Sequence, residues 1–403
     1  MTDSRPGGAA FGWYLAGLIG WFGHHGAQMV LYPWLVTVAL HESAARVGLA
    51  QAALLGPAAI FILVGGAVAD HVDGRRLLGW AHALAVVPPI VLAVLVASGR
   101  LSYPLLLAYG VAMGTISAFA VPARDAMLTR VAPAAVERAI ATATMLQVLA
   151  ALGGIVAAGA AKARGVAVVL AGQAILLALG GIATTRLVPA PPTHVPGDGT
   201  RLEALGAGLR EIQRSPRILA VMLVTLGAGV FYGGAYSVVF PLLVREAYGG
   251  ALADLATLNG AFWCGTIAAV AIQMRLGALR RPGRAIVWAL VLGAVVLAGM
   301  SVPAPFAVLV ALAAAWGFEA GFVLTQGRTI VQVQAPAAYR ARMLAAFQLA
   351  FGGAAPAGAL VLGALAGVTG VRGLVWLPVG AMLIVVLWAA LRTELWERSV
   401  GSA

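Results

Sequence analysis

Glu319 is the residue with the clearest chemical potential. It stands in Ala315-Trp316-Gly317-Phe318-Glu319-Ala320-Gly321-Phe322 and, of the fourteen Asp and Glu residues, is the only one well inside an apolar run. A carboxylate at that depth in a bilayer is costly unless it is protonated, paired or facing water. Such a group can take up a proton and release it elsewhere, or it can make a structural hydrogen bond to a neighbouring helix. His24 and His25 lie in another long apolar stretch. Imidazole titrates near neutral pH and can shuttle protons. Adjacent helical residues point roughly 100° apart, so the two rings are not expected to share one cavity. One of them can equally pack against a neighbouring helix. Gln28 follows His24 by one turn, and Gln147 is a further polar residue in an apolar stretch, as suited to packing as to a cavity. No other His forms a ligand-like pattern with these two, so no metal is expected.

A second constellation is charged. Gly65-Gly66-Ala67-Val68-Ala69-Asp70-His71-Val72-Asp73-Gly74-Arg75-Arg76-Leu77-Leu78 separates two apolar runs, and Pro122-Ala123-Arg124-Asp125-Ala126-Met127 follows a later one. Asp70, Arg75, Arg76 and Arg124 can pair across a membrane edge or stand as a solvated cluster. A surface pair contributes only about 0–1 kcal/mol, enough to bias two balanced conformers and too little to hold a fold.

The elements that must position these residues are membrane helices. The chain has 403 residues, 62 % hydrophobic and only 10 % charged, with a mean hydropathy of +0.96. Soluble proteins carry about 25 % charged residues. A soluble enzyme, a disordered scaffold and a disulfide-stapled secreted domain are excluded; Cys264 is the only cysteine. Apolar runs fall at 11–40, 47–69, 77–97, 104–122, 136–161, 165–187, 216–244, 253–274, 285–302, 305–325, 343–369 and 373–391. Each is near the roughly 20 residues that a spanning helix needs. The first reads as a retained helix, not a cleaved signal.

The net charge of +12 is a matter of topology. With those spans, 20 of the 26 Lys and Arg fall on one side. The positive-inside rule makes that side cytoplasmic and puts both termini there. Anionic lipid headgroups, not nucleic acid, are the expected partners of the basic residues. No phosphate-binding Gly-x-x-x-x-Gly-Lys-Ser/Thr loop is present, so ATP drive within this chain is not expected. No charged ring recurs within the spans, which argues against a channel.

Residues 188–215 divide six spans from six. This stretch opens with Pro189, Pro191, Pro192, Pro196, Gly197 and Gly199. Thr200 and Glu203 then form a capping-box pattern ahead of Leu202, Leu205, Leu209 and Ile212, a basic amphipathic helix for a membrane surface. The expected organisation is an N-terminal bundle over 1–187, this linker, and a C-terminal bundle over 216–403. The halves repeat. Gly26-Ala27-Gln28 through Tyr32-Pro33-Trp34-Leu35-Val36 aligns with Gly234-Ala235-Tyr236 through Phe240-Pro241-Leu242-Leu243-Val244. Arg124 with Ala132-Pro133-Ala134-Ala135 answers Arg328 with Ala335-Pro336-Ala337-Ala338, and Arg75-Arg76 answers Arg280-Arg281. An even number of spans per half makes this a parallel repeat. His24 then corresponds to Tyr232, and Gln28 to Tyr236.

Twelve spans in a 6 + 6 parallel repeat, with the Gly66, Asp70, Arg75, Arg76 pattern after span two, resemble the major facilitator superfamily. His71 and Asp73 stand where that family's signature usually has a basic residue and Gly. The Asp-for-Gly form, with Pro122-Ala123-Arg124-Asp125-Ala126-Met127, resembles the branch of the enterobactin exporter and the bacterial macrolide and multidrug efflux carriers. The Gly-Pro signature of many drug antiporters is missing at Leu152-Gly153-Gly154. The resemblance implies an all-α membrane protein of two six-helix bundles in the bacterial cytoplasmic (inner) membrane, working as a monomer by alternating access. It implies that spans one, four, seven and ten line a cavity, with His24, His25, Gln28, Tyr232, Tyr236 and Glu319 on those helices. It implies that the Asp70 loop is a cytoplasmic gate. The expected activity is proton-coupled efflux of a siderophore or amphipathic drug-like molecule, as an antiporter without cofactor. Import or facilitated passage of a small metabolite is the alternative on the same fold. A membrane-embedded lipid-modifying enzyme would need a polar catalytic cluster at one membrane face, and the sequence carries none.

Overall fold

The computed structural model describes residues 8–132, 136–161, 165–189, 201–277, 279–336, 339–393 and 395; within these, the side chains of Leu63, Asp70, Val136, Glu137, Ala341 and residues 201–205 and 207–208 lie outside the description. Among the described residues all regular structure is helical. Span one is α1 (Gly8–Trp34), continued by a π-helical turn Leu35–Ala39. Spans two to six are α2 (Ala44–His71), α3 (Gly74–Ala97), α4 (Tyr103–Val131), α5 (Val136–Gly159) and α6 (Val166–Thr185). The amphipathic segment forms α7 (Arg201–Arg214). Span seven is α8 (Pro216–Gly227), a π turn Ala228–Gly233, and α9 (Gly234–Ala247). Spans eight to ten are α10 (Leu252–Leu276), α11 (Pro282–Gly299) and α12 (Phe306–Gln334). Span eleven is α13 (Arg340–Gly352) with α14 (Ala355–Leu374), and span twelve is α15 (Trp376–Arg392). Gly370, at φ +67, breaks the helix between the last two, where the sequence leaves a gap between apolar runs.

Among the described residues, ten helical stretches are both long and apolar enough to cross a membrane, and Trp376–Arg392 is a shorter apolar helix. The chain is a multi-pass integral membrane protein. α1, at 27 residues, is long enough but does not reach the same hydropathy. His24, His25 and Gln28 are the reason. Local rules set the helix starts. Asp73, at the position where a Gly was expected, caps α3 by accepting the Arg76 backbone N–H at 3.0 Å. Pro216 and Pro282 open α8 and α11 where no backbone donor is needed.

The chain forms two compact units: Met1–Glu42, Ala53–Asp198 and Leu252–Ala256 in the first, Ser43–Ala52, Gly199–Ala251 and Thr257–Ala403 in the second. In the first, α1 packs on α5 and α6, and α3 on α4 and α6. In the second, α9 packs on α14, and α11 on α12 and α15. Bare backbone makes these approaches possible, as expected of helices that associate within lipid. A methyl group on Gly26 would strike the Ala151 carbonyl of α5, and one on its repeat counterpart Gly234 would strike Gly358 of α14. Gly114 lies likewise against Leu54 of α2, and Gly317 against Phe262 of α10. The repeat therefore reappears as matched contacts, span one on five and seven on eleven, two on four and eight on ten.

Candidate substrate and proton site

The polar residues of the first unit part into two groups. His24 is 1 % exposed and neither ring nitrogen has a hydrogen-bond partner among the described residues. It lies beside Gln173 of α6, whose amide atoms are likewise unpartnered. His25, half-buried, turns elsewhere. Its ring meets Phe22 edge-on at 6.3 Å and lies beside Gln28. Neighbouring residues thus face different helices, as the helical repeat requires. Gln28 Nε2 donates to the Tyr109 hydroxyl of α4 at 3.0 Å. Tyr109 stacks on Tyr32 at 5.6 Å, and the Tyr32 hydroxyl donates to the Leu106 carbonyl at 3.2 Å. A polar seam between spans one and four results. Gln147, on α5, is half-buried and joins neither group.

Arg124 closes one end of this region. Its guanidinium sits 4.9 Å from the Phe22 ring centre and pairs with Asp125 at 3.4 Å; its side chain is only 13 % exposed. The Tyr14 hydroxyl donates to the Arg124 carbonyl at 3.3 Å. Asp125 is thus its ionic partner among the described residues. The side chain of Asp70 lies outside the description, so its pairing is not part of this geometry. Arg75 donates from Nη1 to the Leu187 carbonyl at 3.0 Å, tying the start of α3 to the end of span six. Arg76 is exposed.

In the second unit, Tyr232 sits in the π turn of span seven, a device frequent at functional sites. The glycines around it in the sequence mark the same place. Its hydroxyl donates to the Leu290 carbonyl of α11 at 2.8 Å. Tyr236 donates to the Asn259 side chain of α10. Its ring packs 4.7 Å from Phe262 and 5.3 Å from Phe240, with Trp316 at 6.4 Å. Glu319 on α12 is 1 % exposed, and its Oε2 has no hydrogen-bond partner among the described residues. Its carboxyl and the Tyr232 ring both press on Gly293 of α11, where an added methyl would lie 2.9 Å from Glu319 Cδ and 2.8 Å from Tyr232 Cε2. Tyr232 and Glu319 are therefore brought together. Tyr236 belongs to an aromatic cluster that reaches Tyr232 through Trp316, which is edge-on to both rings at 6.1 and 6.4 Å. The aligned pair Gln28 and Tyr236 bond to different helices, α4 and α10, so the repeat holds for the backbone and not for the polar contacts.

Several polar residues escaped sequence reasoning. Tyr109, Gln173 and Asn259 are partners or neighbours of expected ones. His82 on α3 is buried with its ring nitrogens 3.0 Å from the Leu78 carbonyl and 3.2 Å from that of Gly17, edge-on to Trp21. A neutral ring donates to one of the two. As an ionisable residue inside an apolar run it carried the same signal as His24. Gln326 donates to Gln273 at 2.6 Å and ties α12 to α10.

Comparison with known proteins places this geometry. A family model described as transmembrane secretion effector, of the major facilitator superfamily, matches residues 10–400. No curated protein matches the sequence. Solved structures match nearly end to end. The nucleoside transporter NupG superposes with a TM-score of 0.76 at 12 % identity, over 94 % of this chain and 98 % of that one. A bacterial homologue of the human lysosomal transporter Spinster, inward-facing and unoccupied, gives 0.68 at 14 % identity, over 98 % and 97 %. A POT family transporter in complex with a thioalcohol-conjugated peptide gives 0.71 at 14 %, over 95 % of each. At such identities the likeness is one of fold.

Proposed function

Because the chain belongs to the transmembrane secretion effector family of the major facilitator superfamily, we propose that it is a proton-coupled exporter of a siderophore or amphipathic drug-like molecule. It is a transporter and not an enzyme, and its substrate is a small molecule. In our reading it is a monomer in the bacterial cytoplasmic membrane with both termini inside, works by alternating access and needs no cofactor. The observation that carries the coupling is Glu319. A carboxyl buried at membrane depth, with one oxygen unpartnered beside Tyr232, is suited to bind and release a proton as its surroundings rearrange. Within the first unit, His25, Gln28 and Tyr109 offer hydrogen bonds beside the rings of Phe22 and Tyr32. An amphipathic ligand needs both. The Asp70 loop, with Arg75, Arg76 and Arg124, serves as the cytoplasmic gate. The resemblance to the enterobactin and macrolide exporter branch favours export.

The test is transport by the purified chain in liposomes, with and without an imposed pH gradient, across a panel of siderophores and amphipathic drugs. Wild type should accumulate at least one compound in inside-out vesicles with a gradient and not without it. Glu319→Gln keeps shape and hydrogen bonding but carries no exchangeable acid. It should still bind that compound, lose its pH dependence and lose accumulation. Accumulation by Glu319→Gln at the wild-type level would make Glu319 structural and leave His24 and His25 as carriers. Gradient-independent uptake of nucleosides or peptides by wild type would favour a facilitator instead.

A further inference from the structure

Spans three and six, packed together in the first unit, leave an open groove at the end nearest the α2–α3 loop. The facing residues there are Gly79 and Ala83 on α3 with Ala178 and Gly181 on α6, and side chains this small leave a cavity of about 520 Å³. The walls are mostly apolar, with Thr184 and Thr185 among them, and the mouth is basic. Arg75 and Arg76 both line it. The bond from Arg75 to the Leu187 carbonyl at 3.0 Å fixes one guanidinium at the mouth. A guanidinium has five N–H donors, so several remain for a ligand. Arg76 is exposed and forms no ion pair with a described residue. Asp73, the nearby acid, is engaged as the cap of α3. Trp80, one turn beyond Arg76, is 66 % exposed on the same rim, and Trp is favoured where headgroups meet hydrocarbon. The groove continues to Val86, eleven residues from Arg75. That is roughly 16 Å along the helix, about half of a ~30 Å hydrocarbon core. Its depth is that of one leaflet.

We propose that this groove binds an anionic glycerophospholipid, its phosphate held by Arg75 and Arg76 and an acyl chain lying along Gly79, Ala83 and Ala178. Charge complementarity selects the occupant. A phosphatidylcholine would bring its own cation to two arginines, whereas phosphatidylglycerol brings net negative charge. Two arginines near a membrane surface give a preference of roughly thirtyfold, and added salt should weaken it. The inference does not depend on the transported substrate or on coupling.

The experiment uses the full chain in nanodiscs, with Trp80 as reporter. Tryptophan quenching by dibrominated phosphatidylglycerol is compared with that by dibrominated phosphatidylcholine, and the Trp80 signal is the difference between wild type and Trp80→Phe. Half-quenching by phosphatidylglycerol should need a lipid fraction roughly thirtyfold lower. Equal half-quenching fractions in wild type overturn the proposal, whatever the variants do. The pair Arg75→Gln with Arg76→Gln should abolish the preference, and the pair Arg75→Lys with Arg76→Lys should keep most of it. A preference that survives the Gln pair also overturns it. Inorganic phosphate should not displace the lipid. If it does, the mouth is a small-anion site and the lipid assignment fails.

Discussion

Gly293→Ala places one methyl group where Glu319 and Tyr232 meet. The new Cβ would lie 2.8 Å from Tyr232 Cε2, 2.9 Å from Glu319 Cδ and 3.0 Å from Glu319 Oε2. Carbon atoms rest at about 3.5–4.0 Å, so the neighbours must retreat by roughly half an ångström to one ångström. Neither can do so freely. Tyr232 is tied to the Leu290 carbonyl at 2.8 Å, one turn from Gly293 on the same helix, and its ring is edge-on to the buried Trp316 at 6.1 Å. Overpacking of this kind costs about 1–3 kcal/mol. For a unit of this size that corresponds to a fall of about 2–10 °C in apparent melting temperature. The assay is thermal unfolding of the purified chain in detergent, read by tryptophan fluorescence, beside gradient-driven transport in liposomes. Combining Gly293→Ala with Glu319→Ala should recover part of the loss, a coupling of about 0.5–3 kcal/mol, because the second change vacates the contested space. A change below about 0.5 kcal/mol in Gly293→Ala, with transport intact, would refute the packing of Glu319 against this glycine.

Tyr109→Phe removes the acceptor of the Gln28 amide and should cost about 1–3 kcal/mol as a buried donor goes unmet; weaker substrate binding in a ligand-dependent melting assay would follow. Asp70→Asn should slow transport while leaving substrate binding largely unchanged, measured as turnover against equilibrium binding; lost binding with normal turnover would contradict a gate. In a Cys264→Ser background, cysteines introduced at Arg100 and Arg372 should react with an impermeant maleimide added outside intact cells, and one at Arg280 should not. Reaction at Arg280 would reverse the orientation.

The spans were legible because length and apolarity are cumulative signals that a few exceptions do not erase. Even the break between spans eleven and twelve was marked, by Gly370. The repeat was legible because Gly26 and Gly234 meet backbone in the same way, and a buried close approach tolerates little change in the residue. Directions were not legible. His24 and His25 are adjacent in sequence, yet one faces Gln173 and the other Phe22 and Gln28. Only the packing of α1 on α5 and α6 decides which. Nor did sequence pair Tyr232 with Glu319, since the notch at Gly293 that seats them is on a third helix. His82, Asn259, Gln273 and Gln326 were missed because a single polar residue among many apolar ones resembles ordinary packing until its partner is seen.

The two halves share a backbone plan and differ in their polar content, and that difference bears on coupling. Each half ties its first helix to its third through a buried side chain at a carbonyl. In the first half His82 Nε2 on span three lies 3.2 Å from the Gly17 carbonyl on span one. In the second the tie starts from Tyr232 on span seven and ends at Leu290 on span nine. With Arg75-Arg76 answering Arg280-Arg281, His82 corresponds to Val287, and by the span-one offset Gly17 corresponds to Thr225, so the two ties join the same pair of helices at different positions. In the first half His24, the residue aligned with Tyr232, has no hydrogen-bond partner among the described residues and lies beside Gln173. In the second the tie brings Tyr232 against the one acid deep in a span. If a proton is exchanged at Glu319, movement of α11 relative to span seven must disturb both the Tyr232 tie and the Gly293 notch. The carboxyl and the helix packing are then coupled through one contact, which is what a carrier that converts proton movement into conformational change requires.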